Sequence, residues 1–148
     1  VLLQAYIHWK EACLPKLHGF WAFAIYDSEE QSLFLARDRF GIKPLLYYSD
    51  EDKFLFASEM RALLAYNIAP EMDYTSFYQY LQLHYVPAPN TIFEGVHKLL
   101  PGHYMRVKKR DIQIHRYYQV PFPAPTSAPI PDYATAQREL LALLTTAH

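Results

Sequence analysis

Leu33-Phe34-Leu35-Ala36-Arg37-Asp38-Arg39-Phe40-Gly41-Ile42-Lys43-Pro44-Leu45-Leu46-Tyr47-Tyr48 joins two apolar runs through a charged turn that holds one glycine and one proline. Runs that are apolar at successive positions predict strands covered on both faces. Gly41 is the residue expected where the backbone needs a positive φ. Pro44 fixes φ just before the second run, where no ladder donor is yet required. Arg37 and Asp38, at the end of a buried strand, must pair with each other or with turn backbone, because an unpaired charge there is costly. The turn therefore reads as a rigid, ion-anchored corner, with direct substrate contact as the other reading.

Upstream, Leu2, Leu3, Tyr6, Trp9 and Cys13 recur at helical spacing, which predicts a helix over 1–14 closed by Pro15. Phe20 to Tyr26 is too short and too aromatic for a helix. With Asp27-Ser28-Glu29-Glu30 as turn, it pairs with Ser32 to Ala36. Leu45 to Tyr48 and Phe54 to Ala57 form a second pair. Consecutive strands with tight connections imply an antiparallel sheet, here one covered on both sides. Ser58 is placed to cap a short helix through Leu64, with Glu59 in its first turn. A further helix starts at Asp73 or Thr75 and stops before Pro87 and Pro89. Val96 to Leu99, Tyr104 to Lys108 and Ile112 to Tyr118 read as strands, and Lys108-Lys109-Arg110 as an exposed hairpin tip.

Prolines at 121, 123, 125, 129 and 131 make 120–131 a semi-extended linker between a first domain, 1–119, and the start of a second, 132–148. Asp132 caps the last predicted helix. Its face of Tyr133, Ala136, Leu140, Leu143 and Leu144 needs something to pack on, and both ends of the chain fall inside periodic patterns. The expectation is an internal fragment of a longer protein.

With 148 residues the chain is long enough for one domain that buries roughly 68–70% of its unfolded surface. Apolar residues make up 51% and aromatics 16%, unlike a disordered chain. A net charge of -1 gives no electrostatic ground for a nucleic-acid or membrane partner. No apolar run approaches the ~20 residues of a bilayer span. Cys13, as the sole cysteine, excludes an internal disulfide and fits a reducing, cytoplasmic setting. It lies between Ala12 and Leu14, so a buried small hydrophobe is expected rather than a nucleophile. The seven histidines show no zinc-ligand spacing, and with four glycines there is no phosphate cradle.

Residues 17–27, LHGFWAFAIYD, resemble the LxGxFAFAIYD strand of glutamine-hydrolysing asparagine synthetases, which are class II glutamine amidotransferases. Leu35 to Tyr48 is similar to their ARDRFGIKPLYY signature, Phe56 to Leu64 to their FASEIKALL element, and Pro87 to His103 to their PAPxTIFxGVxKLxPGH stretch. The resemblance implies an α+β fold, the C-terminal half of an N-terminal-nucleophile αββα sandwich of antiparallel sheets and helices. It implies that the last helix opens a PP-loop synthetase domain. The family's nucleophile is an N-terminal cysteine whose α-amine assists proton transfer. An Asn-Gly pair forms its oxyanion hole. By this resemblance Val1 corresponds to a position after those groups and His148 to one before the PP-loop. No catalytic, substrate-binding or metal residue is therefore expected within the chain, and no cofactor.

Glutamine, aspartate, ATP and magnesium belong by the same resemblance to the parent enzyme, which is expected to be cytoplasmic and homodimeric. Phe20 takes the place of a methionine that the family often has beside its ammonia path, so it is the candidate ammonia-channel residue. Arg37, Asp38, Gly41, Pro44, Ser58 and Glu59 form the structural signature. Two other functions stay open: an amidotransferase-like synthetase acting on another carboxylate, of β-lactam or peptide-modification type, and a non-enzymatic interaction domain.

Overall fold

The computed structural model describes residues 1–66, 68, 70–122 and 132–146. Its elements are α1 (Leu2–Trp9), a 3-10 segment (Lys10–Lys16), β1 (Ala22–Asp27), β2 (Ser32–Arg37), β3 (Leu46–Ser49) and β4 (Phe54–Ala57). They are followed by α2 (Met60–Leu64), α3 (Tyr74–Leu83), β5 (Val96–Lys98), β6 (His103–Lys108), β7 (Asp111–Arg116) and α4 (Tyr133–Thr146). The fold is α+β with antiparallel pairing throughout the named strands.

The four strands expected to form a single sheet divide between two. One sheet has the order β1-β2-β6-β7 and the other β4-β3-β5. The register pairs Ile25 with Phe34 and Leu35 with Met105 in the first, and Tyr47 with Phe56 in the second. The chain changes sheets at the turn between Arg37 and Leu46, so this segment is a crossover and not a hairpin.

Side-chain alternation along β2 and β3 then builds the layers. Phe34 and Ala36 face α1 and the 3-10 segment, packing with Tyr6, Cys13 and Leu14. Leu35 faces the other way, with Met105 and Val107, onto Leu45, Leu99 and Tyr47 of the second sheet and its flanks. Leu46 and Tyr48 point outward to Leu63 and Met60 of α2 and to Ile68. The order is helix, sheet, sheet, helix. Phe34 is fully buried, with ring centroids of Tyr6 and Tyr104 at 4.9 and 5.4 Å. Full burial of such a side chain contributes about 1.5–3 kcal/mol. Coverage of both faces holds for β2, whereas β7 is largely exposed.

Several local expectations are corrected. The first α-helix stops at Trp9 because Lys10 adopts φ 48, and the backbone continues as a 3-10 turn that accommodates Pro15. Lys10 gains in exchange a 2.6 Å bond to the buried Asp27 carboxylate, which also accepts from the Glu29 and Glu30 amides of the β1–β2 turn. β1 begins at Ala22, which leaves Phe20 and Trp21 outside the ladder, and β7 ends at Arg116. Ser58 does not cap α2. The cap position is Glu59, with extended backbone and no side-chain cap bond, one residue later than expected.

Asp73 does cap α3, its carboxylate accepting from the Ser76 amide at 3.1 Å and the Ser76 hydroxyl at 2.7 Å. The Lys108–Arg110 triplet lies where β6 turns into β7, with Lys109 at φ 56. Most of the expected linker, 123–131, lies outside the described residues. Asp132 accepts from the Thr135 amide at the start of α4, as a cap should. No residue of α4 is buried, and Leu141 and Leu143 are 66% and 68% exposed. Among the described residues no helix is long and apolar enough to cross a membrane.

Candidate functional site

The crossover holds a dense polar network built on Arg37 and Asp38. Each nitrogen of the Arg37 guanidinium donates to a backbone carbonyl: Nε to Lys43 at 2.7 Å, Nη1 to Leu99 at 2.5 Å and Nη2 to Gly41 at 2.6 Å. Two of these carbonyls belong to the turn. The third follows β5, and the Leu99 amide in turn donates to Leu45 at 2.9 Å. One side chain from the first sheet therefore ties down both the crossover and the exit of the second sheet.

Asp38 is 1% exposed. Its carboxylate accepts from the amides of Phe40 and Ile42 at 3.1 Å and of Lys43 at 3.0 Å. Its own amide donates to Trp21 and its carbonyl accepts from Gly41 and Gly102. Burial alone would raise the Asp38 pKa, but the amide donors of Lys43, Ile42 and Phe40 outweigh it and hold the carboxyl below the ordinary carboxylate range. Burial presses the Arg37 pKa down while the Asp38 charge works against that shift.

Gly41 sits at φ +65, and a Cβ there would stand 2.7 Å from Pro101 Cγ and 3.0 Å from Arg37 Cζ. No side chain fits between the guanidinium and that proline. Gly102 closes the other side: its amide donates to Asp38, its carbonyl accepts from Tyr117 and Tyr118, and its φ is 66. The Tyr117 hydroxyl donates to the Arg37 carbonyl at 2.8 Å. Burial, modulated by Arg39 and Asp38, pushes that hydroxyl up to about 12, so it stays a donor at neutral pH. Leu99, Gly102 and Tyr117 are corner residues that sequence reasoning missed, although Gly102 stood in the Pro-Gly-His motif.

These bonds direct the polar atoms of Arg37 and Asp38 inward to backbone. The outer surface of the corner carries three large apolar side chains, Phe20, Phe40 and Ile42, which are 65%, 60% and 54% exposed, beside the exposed Lys43 and part-exposed Arg39. Phe20 precedes Trp21, whose carbonyl accepts from Asp38 and whose ring stacks on Tyr117 at 6.1 Å. Phe40 meets Tyr118 edge-on at 5.9 Å, under the guanidinium of Arg39.

Arg37, Asp38, Gly41 and Pro44 thus come together in one turn. Ser58 and Glu59 stand exposed at the entrance to α2, where the Glu59 carbonyl accepts from the Ala62 amide at 3.2 Å, and among the described residues neither bonds to the Arg37–Pro44 turn. Cys13 is fully buried, and burial pushes its thiol up, away from the reactive thiolate. Among the described residues no group of three His, Cys, Asp or Glu could hold a metal ion.

Residues 1–118 match the glutamine amidotransferase domain, a stretch that takes in both sheets and the whole corner. The chain belongs to the glutamine amidotransferase domain family. It is 39% identical over 122 residues to asparagine synthetase [glutamine-hydrolyzing] 3 of Bacillus subtilis, and 37% identical over 123 residues to asparagine synthetase [glutamine-hydrolyzing] 1 of the same organism. It is also 36% identical over 125 residues to amidase chry2 of Gibberella zeae. These matches cover 81%, 82% and 83% of the chain, but only 20%, 20% and 18% of the relatives.

Proposed function

We propose that this chain is the later part of the glutaminase domain of a glutamine-hydrolysing asparagine synthetase, an ATP-dependent carbon–nitrogen ligase. The observation that carries the proposal is the match of the whole two-sheet unit to amidotransferase domains within relatives roughly five times as long. The helix–sheet–sheet–helix order supports an N-terminal-nucleophile sandwich. In this reading the catalytic cysteine and oxyanion hole belong to a segment ahead of Val1, and α4 opens the PP-loop domain. The parent hydrolyses glutamine and passes the ammonia inward. It uses ATP with magnesium to activate aspartate for attack by that ammonia. It works in the cytoplasm as a homodimer.

What this chain contributes is a frame. The Arg37–Asp38 corner fixes the two sheets against each other, and the apolar rim of Phe20, Phe40 and Ile42 borders the route of a small, neutral nucleophile. Ammonia is held in its unprotonated form by an apolar wall, because charging it there would cost solvation.

The purified chain should release no ammonia from glutamine above the buffer background in a coupled glutamate dehydrogenase assay. Steady turnover would overturn the assignment of the nucleophile to another segment. In the full-length parent, Phe20→Ala should leave glutamine hydrolysis within about twofold of wild type, the range of surface changes. Asparagine formed per glutamine consumed should fall. An unchanged ratio removes Phe20 from the ammonia route.

A further inference from the structure

Between α3, the outer face of the second sheet and the segment that follows α3 lies a cavity of about 520 Å³. Met60, Met72, Phe77, Tyr80, Tyr85 and Ile92 supply most of its wall. It is apolar almost throughout, and its size is that of a small-molecule site. One lining residue carries a charge. Lys98 is half-buried, its Nζ donating to the Val86 carbonyl at 2.7 Å and its amide donating to the Pro89 carbonyl at 2.6 Å. These two bonds hold the ammonium at the cavity wall.

Lys98 pairs with no carboxylate among the described residues, and no acidic residue lines the cavity. Burial depresses the Lys98 pKa, and the like charge of Arg37 adds to that shift. An ammonium has three N–H donors, and the Val86 carbonyl takes one. Two donors remain for an anion at the rim of an apolar chamber. An apolar body with a single carboxylate head satisfies both halves of this arrangement. An alcohol satisfies only the first, and an amine meets repulsion.

We propose that this cavity binds an apolar monocarboxylate, with its tail between α3 and the second sheet and its carboxylate on Lys98. Nothing in the proposal depends on glutamine chemistry, so it stands or falls separately from the asparagine synthetase reading.

The chain has three methionines, which makes the test local. Met60 and Met72 line the cavity, whereas Met105 is buried between the sheets. The full chain, labelled at the methionine methyl carbons, is titrated with decanoate below its micelle concentration and followed by NMR. The Met60 and Met72 signals should shift saturably while Met105 stays in place. Decanol should need about tenfold more ligand for the same shift, the factor expected for one charge-assisted hydrogen bond. Lys98→Met should bring the two ligands to equal affinity, and Lys98→Arg should keep decanoate ahead. The proposal is overturned by the absence of saturable shifts, by joint movement of all three signals, or by equal binding of decanoate and decanol to the wild-type chain. The last comparison needs no variant and decides the matter even if Lys98→Met does not fold.

Discussion

Asp38→Ala should lower the stability of the chain by about 3 kcal/mol or more, read as a shift in the urea midpoint. Three amides now bonded to one buried carboxylate would lose their acceptor together. Each buried donor left unsatisfied costs about 1–3 kcal/mol, and a domain holds only about 5–15 kcal/mol in all. Asp38→Asn keeps the shape but offers one carbonyl oxygen, and its NH2 group turns a donor toward donors. It should be nearly as damaging.

The same bonds set a pH dependence. The folded pKa of Asp38 lies below its unfolded value, near 3.9, because protonation would remove acceptors that the turn amides use. Its contribution is therefore complete above the unfolded pKa and is lost as pH falls through the folded pKa. The gap in stability between wild type and Asp38→Asn should stay level around neutrality and close progressively below about pH 4. Other depressed carboxyls, such as Asp27 and Asp73, titrate in both proteins and drop out of the difference. A gap that is constant down to acid unfolding would show that the carboxylate is not the acceptor.

The strands themselves were legible because their signals are local. Ser32 to Arg37 and Leu46 to Ser49 announce themselves by apolar runs bounded by turn chemistry, and the Asp73 cap by its place before an amphipathic stretch. The division into two sheets was implied by the family resemblance and was not legible in the local pattern. It depends on where the chain goes after Arg37, and that is settled by a bond to Leu99, sixty-two positions away. Nothing in the spacing around Gly41 distinguishes a hairpin from a crossover.

The break of the first helix at Lys10 was hidden for a related reason. A lysine at positive φ carries no compositional mark, and the partner its side chain finds, Asp27, lies at the end of β1. Of the corner, the residues that lie within the turn were visible and those that reach it from afar were not. Tyr117 stands eighty positions from the carbonyl it bonds. Long-range acceptors in a buried corner leave no periodic trace, so family motifs such as Pro-Gly-His mark their positions without saying what they touch.

Arg37→Lys is the second large effect, and it separates charge from shape. Both side chains are cations, so a corner that needed only positive charge beside Asp38 would tolerate the exchange. The geometry requires more. Three carbonyls at Gly41, Lys43 and Leu99 are met by one planar fork, and a lysine ammonium is a point that reaches one of them well. Two carbonyls then lose a charged donor, at about 1.5 kcal/mol or more each, so Arg37→Lys should cost about 3 kcal/mol and Arg37→Met somewhat more. The loss should also be local at first. Amide exchange should quicken at Leu99 and Lys43, where the crossover and the second sheet are joined, before it quickens at Phe34 and Leu35 in the first sheet. If exchange instead rose evenly across both sheets, the guanidinium would be a general contributor to stability and not the link between them.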